Sequence, residues 1–230
     1  MILLSAPNIS GNEWKYVKEC LDTEWVSSVG SFVNDFEKSV SDFTKSKYAV
    51  ACSSGTSALH ISLIVSGIKK GDYVIVPNIT FIASANSIKY LNANPIFIDV
   101  NQDDWQMDLD LLSDFLEKNT YKKNNLSYYK KNHKVIRAIM AVHILGNICD
   151  MDKLSYISSK YNIKIIEDAS ESLGSYYNGK HSGTFGEIGV FSFNGNKIIT
   201  SGGGGMIVTN NLKLSSRAKH ITTQAKAHNF

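Results

Sequence analysis

The sequence predicts an α/β fold: a mostly parallel central sheet with helices on both faces. Three observations predict it. Short runs rich in Val, Ile and Phe alternate with helix-period segments along most of the chain. The runs are almost continuously apolar, as strands buried on both faces are. A helix-sized segment separates most consecutive runs, which is what a right-handed crossover between parallel strands requires.

The elements follow in order. Glu13 to Asp22 reads as a short helix with Asn12 a candidate cap, followed by the loop "TEWVSSVGSFV". Asn34 to Ser46 carries Phe36, Val40 and Phe43 at helical spacing. "KYAVACSS" is a strand entering the turn Ser53-Ser54-Gly55, and "TSALHISLIVSG" is a helix that Gly67 can stop. "DYVIVPN", "NPIFIDV", "VIRAIMAVH" and "IKIIEDA" read as strands. "IASANSIKYLN", "DLDLLSDFLEKN" and "MDKLSYISSKYN" read as the helices between them. "IGVFSFN" and "GMIVTN" read as adjacent strands joined without a helix, with Lys197 and Gly202 to Gly205 in the apolar, β-rich stretch between them. The polar segment "EKNTYKKNNLSYYKKNHK" is expected to be an exposed, solvated insertion, in preference to a nucleic-acid contact.

Composition excludes several classes. With 230 residues the chain has room for one large or two small domains. It is 43% hydrophobic and 20% charged, the usual range for a soluble globular protein. A net charge of +3 with no basic arm disfavours nucleic acid as a partner. No apolar run is long enough to span a membrane, and the N-terminus lacks the pattern of a secretory leader, so a cytoplasmic protein is expected. Cys20, Cys52 and Cys149 are odd in number and widely spaced, which fits reduced thiols, and no metal-ligand spacing occurs.

Candidate chemistry gathers at the strand ends, where open parallel sheets bind ligands. "SSGTS" opens a helix, so the backbone N–H groups near Gly55, with Thr56 and Ser57, can hold a phosphate or simply form an N-cap. "IIEDASE" ends a strand with Glu167 and Asp168; such a carboxylate can keep a pyridine nitrogen protonated, cap a helix or form a salt bridge. Lys197 is either a solvated surface cation or an amine that bonds an aldehyde cofactor. In order, a phosphate cup, an aromatic after a strand, an acid ending a strand and a lysine before glycines fit a pyridoxal 5'-phosphate site. No nucleotide-triphosphate loop or dinucleotide fingerprint is present.

With these residues in place, the chain resembles the DegT/DnrJ/EryC1/StrS sugar aminotransferases, fold-type I pyridoxal phosphate enzymes acting on nucleotide-linked keto sugars. The likeness is carried by "WVSSVGSFVNDFE", "AVACSSGTSALH", "VIVPNITFIASANSI", "AVHILGNICDMD" and "IIEDASESLGSYYNGKHSGTFGEIGVFSFNGNKIITSGGGGMI". It implies that Lys197 bonds the cofactor and shuttles protons, and that Asp168 pairs with the ring nitrogen. It also implies that Gly55, Thr56, Ser57 and Ser192 hold the phosphate and that Phe81 stacks on the ring. Trp25, Val26, Ser27 and His143 would line the sugar side. "EDASES" and "SFNGNKIIT" point to the subgroup that makes 4-amino sugars from UDP-linked keto-deoxy-hexoses for bacterial glycans such as lipopolysaccharide. Glutamate is the implied amino donor and a homodimer with shared active sites the implied assembly.

Two departures matter. Glu171 stands where the family often has a glutamine that meets the cofactor's phenolic oxygen, so a carboxylate would face a phenolate. The chain ends at Phe230, whereas relatives continue. Residues 1–230 are therefore expected to be the large, cofactor-binding domain, with 1–30 its N-terminal helix and substrate-side loop and the small C-terminal domain missing. The retained lysine favours transamination over the dehydration seen where a histidine replaces it. The alternative readings are an inactive fragment or partner subunit, and a dehydratase on a similar sugar.

Overall fold

A computed structural model describes residues 6–225; the readings of the first residues and of the end at Phe230 lie outside them. The chain begins with α1 (Glu13–Asp22), α2 (Ser31–Thr44), β1 (Tyr48–Cys52), α3 (Gly55–Val65), β2 (Tyr73–Pro77) and α4 (Ile82–Tyr90). It continues with β3 (Asn94–Ile98), α5 (Leu109–Asn119), β4 (Thr120–Lys123), β5 (Leu126–Tyr129), β6 (Lys134–Val142) and α6 (Met151–Tyr161). β7 (Lys164–Asp168), β8 (Tyr176–Tyr177), β9 (Lys180–His181), β10 (Ile188–Ser192), β11 (Gly205–Thr209) and α7 (Leu212–Thr222) complete it.

The main sheet runs β1-β11-β10-β7-β6-β2-β3, with β4 and β5 attached beside β6. β10-β7, β7-β6, β6-β2 and β2-β3 are parallel, and β11 is antiparallel to both neighbours. β1 therefore points the same way as β10, and the carboxyl ends of β1, β10, β7, β6 and β2 share one edge. The strand period of two sends alternate residues to opposite faces. Val74, Val76, Ala138, Met140 and Ile166 pack on one face with Leu59 and Leu63 of α3 and Ala218 of α7. Ile75, Ile139 and Ile165 pack on the other with Leu112 and Leu116 of α5 and Leu154 and Ile157 of α6. Full burial of a side chain such as Leu63 contributes about 1.5–3 kcal/mol. Phe191, Phe193 and Met206 form a third cluster with Val40 of α2.

Several expectations change. α2 starts three residues before Asn34 and ends before Ser46, at a left-handed Lys45 (φ 60°). Asn12 precedes α1 without a side-chain cap; the Glu13 carboxylate accepts the Gly11 N–H at 2.8 Å instead. The polar segment expected to be a loop is a hairpin: β4 and β5 pair across Asn124-Asn125, both at positive φ, the backbone a tight two-residue turn requires. β5 then pairs with β6, and Ser127 is buried. The stretch around Lys197 is not strand: residues 193–204 form the connection between β10 and β11, with Ile198 and Ile199 exposed. Among the described residues no helix is long and apolar enough to cross a membrane.

Candidate active site

A cavity of about 400 Å³ opens at the shared edge of strand ends, within the size range of small-molecule sites. It is built from five elements. The turn after β1 brings Ser54, Gly55 and Thr56; the loop after β2 brings Thr80 and Phe81; the end of β6 brings His143. The end of β7 brings Asp168, Ser170 and Glu171, and the connection after β10 brings Ser192, Asn194, Asn196 and Lys197.

The first wall is the start of α3. Ser54 caps the helix by accepting the Ser57 N–H at 3.1 Å. The N–H groups of Gly55 and Thr56 find no acceptor among the described residues, as the first turn of a helix leaves them. Gly55 is required here: a Cβ would stand 2.8 Å from the Ser192 Cβ. Gly205 allows the same crowding from below, since its Cβ would fall 2.3 Å from the Ser54 carbonyl oxygen. An anion set between the Gly55–Thr56 N–H groups and Ser192 would meet donors and the positive end of a helix. Ser57 belongs elsewhere, because its hydroxyl stays within a Ser53–Ser54–Ser57 cluster and it does not line this cavity.

Asp168 is buried at the end of β7, its Oδ2 accepting from Ser84 Oγ at 2.7 Å and its Oδ1 from Ser170 N–H at 3.2 Å. Phe81 caps α4, 72% exposed, with its ring at the cavity. Lys197 lies across from them and its Nζ donates to Glu171 Oε1 at 3.0 Å. The other Glu171 oxygen accepts the Leu145 N–H at 2.9 Å. Burial pushes the Glu171 carboxyl up, but the Leu145 N–H and Lys197 together outweigh it and hold it below the usual glutamate range. Glu171 thus acts as the counter-ion of the lysine.

The substrate-side expectations fare differently. His143 reaches the cavity wall, but its ring is fully buried and bonded through Nε2 to Glu167 Oε2 at 3.0 Å, so it shapes the wall and has little left to offer a sugar. Trp25, Val26 and Ser27 are not among the lining residues. The Trp25 indole N–H turns back to the Val29 carbonyl at 2.9 Å, and Val26 is exposed. Sequence reasoning missed Ser84, Ser170, Asn194 and Asn196. Ser170 follows Asp168 by two positions and the asparagines lie one and three positions before Lys197, so those two residues could have flagged them; Ser84, three positions after Phe81 in the first turn of α4, carries no such signal.

The residues fit pyridoxal phosphate: unpartnered N–H donors beside a glycine cradle, a buried carboxylate, an exposed ring and an amine surround one cavity. Comparison with known proteins agrees. The model of the DegT/DnrJ/EryC1/StrS aminotransferase family matches residues 7–229. A GDP-perosamine synthase of Caulobacter vibrioides is 43% identical over 223 residues, covering 97% of this chain and 56% of that protein. The solved aminotransferase of Psychrobacter cryohalolentis superposes with a TM-score of 0.81 at 32% identity, over 93% of this chain and 50% of that one. A GDP-4-keto-6-deoxymannose-3-dehydratase holding a trapped PLP-glutamate species superposes equally well, with a TM-score of 0.82 at 26% identity over 95% and 54%. The chain spans about half the length of the curated relatives it matches.

Proposed function

The chain belongs to the DegT/DnrJ/EryC1/StrS aminotransferase family, and from that premise we propose that it is the large, cofactor-holding part of a sugar aminotransferase. The proposed reaction moves an amino group from an amino acid, glutamate, to the keto group of a nucleotide-linked deoxy sugar for a surface glycan. The observation that carries the reading is the meeting of Lys197, Asp168, Phe81 and the Gly55–Thr56–Ser192 cradle in one cavity.

The family's aminotransferases use pyridoxal 5'-phosphate. When bound, it supplies an aldehyde that exchanges the amino group and a ring that withdraws electrons from the reacting carbon. This chain's residues supply the rest. Gly55, Thr56 and Ser192 would hold the phosphate, Asp168 would accept from the ring nitrogen, and Phe81 would cover the ring and exclude water. Lys197 would hold the cofactor through its Nζ, and as a free amine the same Nζ would serve as the base and acid that moves a proton within the cavity. Glu171 pairs with the ammonium form of Lys197 and, by accepting the Leu145 N–H, keeps the 143–147 loop against the cavity.

Exposed Ile79 and Phe81 line the cavity, and Ile82, Leu145 and the pair Ile198-Ile199, each adjoining a lining residue in sequence, are exposed too; this apolar surface favours cover by a second subunit, so the proposed assembly is a homodimer with shared sites. Lys197 favours transamination over dehydration, which the equal fit to a dehydratase leaves to chemistry to decide.

The test is the visible spectrum of the purified chain with pyridoxal phosphate, before and after glutamate, beside Lys197→Ala. The expected result is an absorbance band that needs Lys197 and fades with glutamate as 2-oxoglutarate forms in equal amount. No Lys197-dependent band in a folded, soluble chain contradicts the reading. Light scattering on the loaded sample checks the dimer, a monomer mass being the contrary result.

A further inference from the structure

Asp168 is held from two sides, and one of its partners is itself held. Ser84 is fully buried in the first turn of α4, where its N–H donates to the Phe81 carbonyl and its own carbonyl accepts from Ser87 Oγ. Its hydroxyl does not turn back onto the helix, the usual recourse of a helical serine. It reaches across to β7 and meets Asp168 Oδ2 at 2.7 Å. On its other side stands Thr80, whose Oγ1 is 2.8 Å from Ser84 Oγ. Thr80 is half-buried and lines the cavity.

A hydroxyl has one proton to give, and a carboxylate can only accept. Ser84 spends its proton on Asp168, so the bond between the two hydroxyls is donated by Thr80. The Phe81 carbonyl also stands 3.3 Å from the Thr80 hydroxyl, but Ser84 is nearer, so the donations run in one direction, from Thr80 at the cavity wall to Ser84 and on to the buried carboxylate. Thr80 directly precedes Phe81, so the chain of bonds also ties the loop carrying the exposed ring to the carboxylate beneath it.

We infer that Ser84, oriented by Thr80, is a positioning residue that aims the Asp168 carboxylate at a ring nitrogen in the cavity. The inference rests on the proposed cofactor reading. With Oδ2 held by Ser84 and Oδ1 by Ser170, the carboxylate cannot rotate, and its free lone pairs keep a fixed direction. Without Ser84 the carboxylate loses its short, charge-assisted bond and keeps only the longer one from Ser170, so its direction is no longer fixed from both sides. Ser84 touches neither the cavity nor a ligand in it, so its effect passes wholly through Asp168.

The experiment compares the wild-type chain with Ser84→Ala, Ser84→Thr and Thr80→Val. Two probes are used: pyridoxal phosphate, and its deaza analogue, in which CH replaces the ring nitrogen. Dissociation constants come from fluorescence titration, ring-nitrogen protonation from the absorbance spectrum against pH, and folding from cofactor-free melting. Ser84→Ala is expected to weaken pyridoxal phosphate by about tenfold or more, the value of a hydrogen bond to a charged group. It is expected to leave the deaza analogue's affinity unchanged, with Ser84→Thr recovering the loss and Thr80→Val showing a smaller version of it. Equal losses for both probes reduce Ser84 to a packing role and overturn the inference. So does wild-type affinity of Ser84→Ala for pyridoxal phosphate, while leaving the proposed function standing. If the wild-type chain binds neither probe, the proposed function fails and the inference with it.

Discussion

Glu167 accepts from the N–H groups of Gly183, Phe185 and Gly186 and from the His143 ring, and its neighbour Asp168 accepts from Ser84 and Ser170. Two adjacent acids thus divide the work: one ties a loop to the sheet, the other faces the cavity. Strand alternation forces that division, since successive side chains leave a strand on opposite faces. His181 is a third buried polar group with a fixed state. Its Nδ1–H donates to the Ser182 carbonyl and its Nε2 accepts the Gly174 N–H at 2.9 Å, among the ring edges of Phe43, Tyr176 and Phe191. Burial pushes this imidazole below its ordinary value of 6.5, although the Ser182 carbonyl and Glu167 oppose the shift. The folded chain therefore binds this proton less readily than the unfolded chain. The stability it confers is present above the ordinary value and is lost as pH falls through the depressed folded value. His181→Leu is expected to cost roughly 1–3 kcal/mol at neutral to mildly alkaline pH, since it leaves the Gly174 N–H without its acceptor. In melting curves, the gap to the wild type should narrow on acidification; a gap independent of pH contradicts this state of His181.

At the scale of elements, the site depends on how closely β11 passes under the start of α3. Gly205 lies against the Ser54 carbonyl and the Gly55 nitrogen, both backbone atoms that cannot swing aside. Gly205→Ala is expected to push the helix start outward, costing about 1–3 kcal/mol in stability and weakening pyridoxal phosphate binding. Gly195→Ala is the control: nothing lies within 4 Å of its Cβ and it should be neutral in both assays. Equal behaviour of the two variants would show that the close approach is not what shapes the cradle. The parallel strands were legible in the sequence because they are buried on both faces and read as unbroken apolar runs. The β4–β5 hairpin was not, since its polar outer positions mask the pairing and only Asn124-Asn125 marks the turn. α7 was not read either, although Leu214, Ala218 and Ile221 stand at helical spacing and pack on the core, because polar and charged residues fill most of its other positions. Lys197, Asp168 and Phe81 could be found because each ends or follows a legible strand. Ser84 could not, because its meaning lies in a partner 84 positions away. Trp25 to Ser27 follow α1, which buries no residue, and nothing in the local pattern fixes where that loop goes.

At the scale of the molecule, one rule places the whole site. Along the run β1-β11-β10-β7-β6-β2-β3 every strand but β11 points the same way, so the turns that follow β1, β2, β6, β7 and β10 converge on one edge. The exception, β11, returns antiparallel between β10 and β1, and the connection into it carries Lys197 up to that edge. The central claim is that this lysine is the one that bonds the cofactor. The direct measurement is borohydride reduction of the chain incubated with pyridoxal phosphate, followed by peptide mass mapping. The expected result is a single stoichiometric pyridoxyl label on Lys197, displaced by prior addition of an amino donor. Label scattered over surface lysines, or a folded chain that takes up none, would contradict it.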